Sequence, residues 1–171
     1  DLSGGNLSGA YLDNVNLSAA NLTGTKTGPI YSVNGLTLPS GYKLIADTTG
    51  EFGEVYIVGP GVDLSGADFS KEQYDGFRGV QSGGITGNPT LPYSYQLVDG
   101  VIFGPGVDLS NTDLTGVKTG PFDLYSADDL TLPVGYKAVS SGDYDEVYIV
   151  GPGVDLSGAD FSKEQYDGFR G

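Results

Sequence analysis

Residues 1–25 read DLSGGNLSGAYLDNVNLSAANLTGT and place a leucine at every fifth position. A helix face repeats about every 3.6 residues and a strand face about every two, so a period of five fits neither element. The period instead predicts that each five-residue unit forms one side of a square coil and points its leucine inward. The leucines are Leu2, Leu7, Leu12, Leu17 and Leu22.

The same five-residue pattern returns three times later in the chain, each time as two consecutive units. Together these segments resemble the pentapeptide-repeat family, whose consensus is close to Ala-(Asp/Asn)-Leu-x-x. The resemblance implies a right-handed quadrilateral β-helix in which four pentapeptides make one coil. It covers about a third of the chain, and the interrupted array also resembles large repetitive surface proteins. The later segments begin with Val62-Asp63-Leu64, Val107-Asp108-Leu109 and Val154-Asp155-Leu156.

A longer repeat organises the chain as a whole. Residues 54–79, EVYIVGPGVDLSGADFSKEQYDGFRG, recur without a change at residues 146–171, which sets a period of 92 residues. Repeats of this length indicate an array in which each unit packs on its neighbours. The chain begins at Asp1 and stops within a repeat, so we expect it to be a window from a longer array. The predicted units are residues 1–25 (pentapeptide block), 26–79 (hairpin insert plus pentapeptide segment), 80–117 (short unit) and 118–171 (near-copy of 26–79).

Strands are predicted for the segments between the pentapeptides. Gly-Pro-Gly and Leu-Pro recur there and interrupt any helix, while β-branched and aromatic residues fill the pieces between them. Residues 42–46 and 54–58 predict one hairpin. Residues 95–98 and 101–103 predict another, around the turn dipeptide Asp99-Gly100. The predicted fold class is therefore all-β, with solenoid-like quadrilateral β-helix segments and β-hairpin inserts.

Composition excludes most enzyme classes. The chain has neither His nor Cys, so it lacks a conventional catalytic triad, a thiol nucleophile and an imidazole metal site. We therefore predict a protein that is not an enzyme and holds no cofactor. The net charge is −14 and the eight Lys and Arg residues are dispersed, which argues against nucleic acid as a partner. No apolar run approaches the roughly 18 residues that span a bilayer.

Recurring carboxylates are the candidate calcium ligands, because Ca²⁺ prefers oxygen ligands and stacked coils would bring equivalent residues together. The other interpretation is that they are solvated surface acids. A separate acidic cluster, residues 143–146, has no surrounding EF-hand loop. The candidates are Asp63, Asp68, Asp155 and Asp160, with Asp108 and Asp113 at equivalent positions.

Two further groups of residues suggest contact with glycans. Asn6, Asn16 and Asn21 each begin an Asn-x-Ser/Thr sequon and are candidate glycosylation sites, although the repeat generates such triplets by itself. A tyrosine also ends each Leu-Pro-x-x-Tyr run, where it could stack on a sugar or pack in the core. These tyrosines are Tyr42, Tyr95 and Tyr136.

The functional hypothesis is a structural repeat protein that stacks head to tail into an extracellular or cell-surface fibre, with further copies of itself as partners. Short solenoid segments leave unpaired strand edges at both ends, and such edges favour stacking. One alternative is an adhesin or carbohydrate-binding stalk. Another comes from the family resemblance, because some pentapeptide-repeat proteins mimic DNA with an acidic rod and bind gyrase.

Overall fold

The computed structural model describes residues 1–47, 54–72, 76–123, 127, 129–141 and 146–162. Within these ranges the regular elements are seven short strands and a series of isolated β-bridges. The predicted all-β class is therefore confirmed. The strands form sheets of only two or three members, and within the same ranges no sheet closes into a solenoid.

Both predicted hairpins are confirmed. Strand β1 (Lys43–Ala46) pairs antiparallel with β2 (Val55–Val58), and β3 (Gln96–Val98) pairs antiparallel with β4 (Val101–Phe103). Asp99-Gly100 connects the second pair with φ angles of 50° and 80°. Two consecutive positive φ values are typical of the type I′ turn, whose twist matches that of the strands it joins.

The third sheet contains a strand that the sequence pattern did not predict. Strands β5 (Phe122–Asp123), β6 (Lys137–Ser140) and β7 (Glu146–Val150) lie in the order β5-β7-β6. Strand β5 has two residues, too few to display the alternation of apolar and polar side chains that predicts a strand. It is recognised only by its pairing with β7. The first copy of the repeat has the same contact as a single antiparallel bridge between Ile30 and Val55.

Parallel bridges connect the five-residue units to one another. Asn6 bridges Lys26, Lys26 bridges Asp63, and Asp63 bridges Thr86. We call these four residues the Asn6 ladder. Shorter ladders join other units in the same parallel sense. They comprise Tyr11–Ser32, Asn16–Thr37, Asp68–Thr90, Gln81–Asp108–Thr131 and Lys118–Asp155.

Backbone hydrogen bonds follow one rule along the Asn6 ladder. At its first bridge Leu7 N donates to Lys26 O at 2.8 Å, and Lys26 N donates to Gly5 O at 3.0 Å. At its last bridge Leu64 N donates to Thr86 O at 3.0 Å, and Thr86 N donates to Val62 O at 2.9 Å. In each bridge, the residue that comes first in the sequence is therefore bonded through the N–H and the carbonyl of the residues on either side of it. The residue that comes later in the sequence bonds through its own N–H and carbonyl.

A β-turn ends most five-residue units. The residue three positions after the leucine donates its N–H back to the leucine carbonyl, as Thr25 N does to Leu22 O at 3.0 Å. In many of these turns the third residue has a positive φ, for example 68° at Gly24 and 59° at Asn14. Positive φ at that position is typical of a type II turn and explains why glycine recurs there.

The core runs along the inside of the ladders. The apolar residues that follow the Asp of a five-residue unit are fully buried in the middle of the molecule, including Leu64, Leu109 and Leu114. Aromatic rings extend this core, with Phe69 between Tyr56 and Phe77 at centroid distances of 5.6 and 5.4 Å. The inward orientation predicted from the five-residue period is therefore confirmed. At the first rung Leu2, Leu7 and Leu12 are only half-buried, although they pack against the same core.

Each Gly-Pro-Gly segment is held by a tyrosine. Tyr42, Tyr95 and Tyr136 donate their hydroxyl groups to the carbonyls of Pro60, Pro105 and Pro152 at 2.7, 3.0 and 2.7 Å. Each ring also lies against the glycine before that proline, so closely that a Cβ there would approach the ring to between 1.9 and 2.2 Å. The glycine is thus required by packing, and the core interpretation of these tyrosines holds over the sugar-stacking one.

We expect Tyr95→Phe to lower the free energy of unfolding by about 1–3 kcal/mol, because it leaves the buried Pro105 carbonyl without its partner. Tyr136→Phe is the matched control. Its hydrogen bond to Pro152 is exposed, so we expect a loss below about 1 kcal/mol. Urea unfolding of the two variants measures both values, and equal losses would show that the hydroxyl of Tyr95 is not what holds the segment.

Candidate functional site

One side-chain hydrogen bond recurs along the ladders. An Asp or Asn accepts it on Oδ1 from the backbone N–H two residues later, at 2.8–3.1 Å. This Asx turn keeps the polar residue outside while the next residue enters the core. It explains why the repeat places Asp or Asn before the apolar residue. The residues that form it are Asp1, Asn6, Asn16, Asn21, Asp63, Asp68, Asp108, Asp113, Asp155 and Asp160.

The calcium candidates belong to this set. Asp63 Oδ1 accepts from both the N–H and the hydroxyl of Ser65, at 2.9 and 2.6 Å, and Asp68 accepts from Ser70 N at 2.9 Å. Asp155 and Asp160 make the same bond two residues on. In the part of the chain that the structure describes, no three His, Cys, Asp or Glu residues are grouped so that they could hold a metal ion. Calcium binding therefore stays a prediction from the sequence, and residues 143–145 of the second acidic cluster lie outside the described residues.

The electrostatics of the turns favour the charged carboxylate. The N–H of Ser70 is the main cause that lowers the pKa of Asp68, and the N–H of Ser157 lowers the pKa of Asp155 in the same way. Lys71 and Lys118 contribute less to these two pKa values. These hydrogen bonds from nearby groups are enough to explain why the carboxylates are charged, so a bound cation is not needed to explain it.

The three sequons coincide with three Asx turns. Asn6, Asn16 and Asn21 are exposed, and the Ser or Thr of each sequon supplies the N–H that its asparagine accepts. The turn thus accounts for the asparagine, whereas the backbone N–H that it needs two residues later is one that any residue except proline has. An exposed Asn side chain is also what glycosylation needs, so modification of these three residues stays a prediction.

Two large aromatic residues are exposed side by side. Tyr11 is 73% exposed and Tyr31 is 48% exposed, and their rings meet edge to face at a centroid distance of 5.8 Å. Asp13, two residues after Tyr11, accepts hydrogen bonds from the Ser32 hydroxyl at 2.6 Å and from Asn34 N at 2.9 Å. The Ser32 hydroxyl is the main cause that lowers the pKa of Asp13. We call Tyr11 and Tyr31 the tyrosine pair.

The two identical segments have different environments. In the first copy Val62, Leu64 and Phe69 are fully buried. In the second copy the same residues, Val154, Leu156 and Phe161, are only half-buried. The cause is the next layer of chain, because Thr86 and Thr90 bridge the first copy at Asp63 and Asp68.

Within the described residues, the first and last rungs of the ladders present strand edges with complementary hydrogen-bonding groups. Among the described residues, Val154 O and Leu156 N have no backbone partner, although Val62 O and Leu64 N are both paired in the first copy. At the first rung, within those same residues, Asn6 N and Asn6 O have no backbone partner either. We call these the Asp155 edge (residues 154–156) and the Asn6 edge (residues 5–7). Unpaired strand edges of this kind are templates for pairing with another chain.

The sequence pattern missed both the tyrosine pair and the residues of the two edges. Tyr11 could have been found, since it occupies the position where the neighbouring units have Asn. The edges could not have been found from residue types, because identical residues are buried in one copy and half-exposed in the other.

Comparisons with known proteins agree with the repeat pattern. The family model described as "Pentapeptide repeats (8 copies)" matches residues 1–26. The predicted resemblance is thus confirmed for the opening block. Neither the curated proteins nor the solved structures include a significant match to this chain. No helix among the described residues is long and apolar enough to cross a membrane.

We expect acid to weaken the fold through the Asx turns. Hydrogen bonds lower the pKa values of Asp68, Asp108, Asp113 and Asp155 below 3.8, so these groups stabilise the folded state above that pH. Their contribution is lost as the pH falls from about 5 through the lowered pKa values. Replacing all four with Asn, which forms the same turn at Asn6, should flatten the dependence of unfolding free energy on pH.

Chemical unfolding at several pH values compares this variant with the parent chain. Protonation also reduces the repulsion from the net charge of −14, which acts in the opposite direction. The test therefore compares how steeply the free energy of unfolding changes with pH in the variant and in the parent chain. Identical slopes would contradict a role for the four carboxylates in stability.

Proposed function

Because the chain carries repeats of the pentapeptide family, we propose that it is a structural repeat protein that builds an extracellular or cell-surface fibre by head-to-tail stacking. One observation carries this proposal. The layer of chain at residues 86–90 bridges the first of the two identical segments, and the apolar residues of that segment are fully buried beneath it. Layers of this chain thus bury one another's apolar residues, which is the contact that head-to-tail stacking would repeat.

The proposal includes a finer description of the fold, in which each rung of a ladder is one coil of a right-handed quadrilateral β-helix. Bridged residues without an insert between them support it, since Asn6 and Lys26 are 20 residues apart and Tyr11 and Ser32 are 21 apart. This is close to the four five-residue sides of one coil. Lys26 and Asp63 are 37 residues apart because the hairpin β1–β2 lies between them.

The proposal gives the chain no catalytic role. The carboxylates that could act as acid and base recur as turn-forming residues, and their hydrogen bonds lie within their own units. The residues most often used as nucleophile or base, His and Cys, are missing from the sequence. A structural role accounts for the repeated carboxylates without further assumptions.

Stacking would gain free energy from two sources and lose it through charge. Burying a Val or Leu side chain completely contributes about 1.5–3 kcal/mol, and Val154 and Leu156 are half-buried already. The backbone bonds of a new rung add roughly 0.5–1.5 kcal/mol each. Two copies that each carry a charge of −14 repel one another. Salt should therefore favour the assembly.

The tyrosine pair supports a second candidate function, an adhesin or carbohydrate-binding stalk. Exposed aromatic rings beside polar groups suit sugars, because a ring covers the apolar face of the sugar and the polar groups bind its hydroxyls. Tyr11 and Tyr31 with Asp13 and Asn34 form such a group. A fibre that presents this surface could serve both roles.

The DNA-mimic alternative has less support. The charge of −14 suits it, but a mimic of duplex DNA needs a long uninterrupted acidic rod. Here β1–β2 and β6–β7 interrupt the succession of pentapeptides. A gyrase supercoiling assay without any effect of the protein would dismiss this alternative.

We expect negative-stain electron microscopy of the purified chain to reveal filaments as the salt concentration rises. The Debye length falls from about 10 Å at 0.1 M to about 3 Å at 1 M salt, which screens the repulsion between copies. Light scattering over the same series measures the onset of assembly. Monodisperse globular particles at every salt concentration would rule out the fibre.

We expect Tyr11→Ala combined with Tyr31→Ala to abolish any glycan binding that the parent chain displays on a glycan array. Tyr93→Ala is the matched control, because Tyr93 is 89% exposed but lies outside the pair. A parent chain that binds no glycan, or a double variant that binds as the parent does, would remove the adhesin candidate.

A further inference from the structure

We infer that a cleft between two layers near the middle of the chain binds an organic cation with an ammonium or guanidinium group. The cleft has a volume of about 270 Å³, and every residue that lines it lies within residues 60–113. The inference goes beyond the proposed stacking, because this surface lies between layers of a single copy. We call it the Asp108 cleft, and its lining includes Pro60, Gln81, Gly83, Asp108, Asn111 and Asp113.

The Asp108 cleft lies where the chain lacks one five-residue unit. Gln81 bridges Asp108, so the two residues take the same position in successive layers. From Asp108 the chain runs ten residues to the next bridged residue, Lys118, and the unit of Asp113 lies between them. From Gln81 the chain runs only five residues to the next bridged residue, Thr86.

Both of these steps end on the same side of the molecule. Lys118 holds in the second copy of the repeat the position that Lys26 holds in the first, and Thr86 belongs to the ladder of Lys26. The step from Gln81 is therefore shorter than the step from Asp108 by one unit. One side of this layer is missing.

The backbone bonds between layers are interrupted at the missing side. Gly61 N donates to Gly83 O at 2.8 Å and joins the layer of Gly83 to the preceding layer. Among the described residues, no backbone hydrogen bond joins Gly83 or Gly84 to the following layer at residues 111–116. The cleft occupies this interval, and Pro60 of the preceding layer lines it from the other side.

The lining of the cleft is negatively charged. It includes Asp108 and Asp113, and none of the described residues that line it is a Lys or Arg. A hydrogen bond from the Ser110 side chain is the main cause that lowers the pKa of Asp108, and the N–H of Thr115 lowers the pKa of Asp113. Both carboxylates are therefore charged at neutral pH, and a cleft lined by one sign of charge attracts ions of the opposite sign.

The two side-chain amides of the cleft already donate within the protein. Gln81 Nε2 donates to Asp108 Oδ2 at 3.4 Å, and Asn111 Nδ2 donates to Ser110 Oγ at 3.3 Å. Among the described residues, no hydrogen bond reaches either amide oxygen. These oxygens and the two carboxylates are acceptors, so the matching ligand supplies N–H donors and a positive charge. Ammonium and guanidinium groups have both.

The size of the cleft favours an organic cation over a metal ion. Its volume of about 270 Å³ is close to the lower limit of small-molecule pockets, roughly 300 Å³. Within the described ranges, no three His, Cys, Asp or Glu residues are grouped so that they could hold a metal ion. The cation can be a free polyamine or the side chain of a lysine in a partner, and both present the same ammonium group.

Two probes test the inference on the whole chain by isothermal titration calorimetry at constant ionic strength. They are 1,4-diaminobutane and an acetylated, amidated Gly-Lys-Gly peptide. We expect Asp108→Asn combined with Asp113→Asn to weaken the binding of both probes at least about tenfold. Asparagine removes the charge and still forms the Asx turn, as it does at Asn16.

Asp63→Asn combined with Asp68→Asn is the matched control. These two residues are also five apart and form Asx turns, but they lie outside the cleft. The control loses the same charge, so we expect it to change the affinity less than about twofold. Tighter binding of the diamine or of the peptide supports the inference and identifies the source of the cation. Equal weakening in the two double variants, no binding of either probe, or equally tight binding of glucose overturns it.

Restoring the missing unit provides a second measurement. Insertion of Thr-Asn-Leu-Thr-Gly between Gly84 and Ile85 gives this layer the ten-residue step that follows Asp108. We expect the insertion variant to fold, as measured by urea unfolding, and to lose at least about tenfold in affinity for both probes. A variant that does not fold, or that binds as the parent chain does, would contradict the missing unit as the origin of the site.

Discussion

The fold depends on the way in which each five-residue unit satisfies its own backbone at a corner. The Asp or Asn side chain accepts one N–H, and the leucine carbonyl accepts another, as at Asn21 and Leu22. These two bonds turn the chain within a few residues. The backbone N–H and carbonyl groups that remain in the unit then bond to neighbouring units. The parallel ladders follow from this constraint, and so does the inward position of the apolar residue.

The constraint also explains why residues with the appearance of functional sites recur. The repeated carboxylates resemble ligands, and the repeated Asn-x-Ser/Thr triplets resemble glycosylation signals. The Asp and Asn of both patterns recur because a side-chain oxygen must reach an N–H two residues away. Their repetition is evidence for the turn, and a function at any of them needs evidence of its own.

Much of the fold could be predicted from sequence. The period of five predicted the inward leucines, and Asp99-Gly100 predicted the second hairpin because both residues tolerate a positive φ. Strand β5 could not be predicted, since it is defined only by its contact with β7. The edges were equally beyond the sequence, because Leu64 and Leu156 lie in identical segments, while among the described residues a following layer is bonded to Leu64 and none to Leu156. Local patterns determine the units, while the contacts between layers determine which unit is exposed.

Amide hydrogen exchange at Leu64 and Leu156 tests most directly whether the exposed edge is completed by another copy. The exchange is carried out on dilute and on assembled protein, which is then dissolved and examined by NMR so that the two leucines are resolved. In the dilute protein Leu64 N, bonded to Thr86 O, should exchange slowly and Leu156 N rapidly. In the assembled protein Leu156 N should become as protected as Leu64 N. Rapid exchange of Leu156 N in the assembled protein would contradict the account.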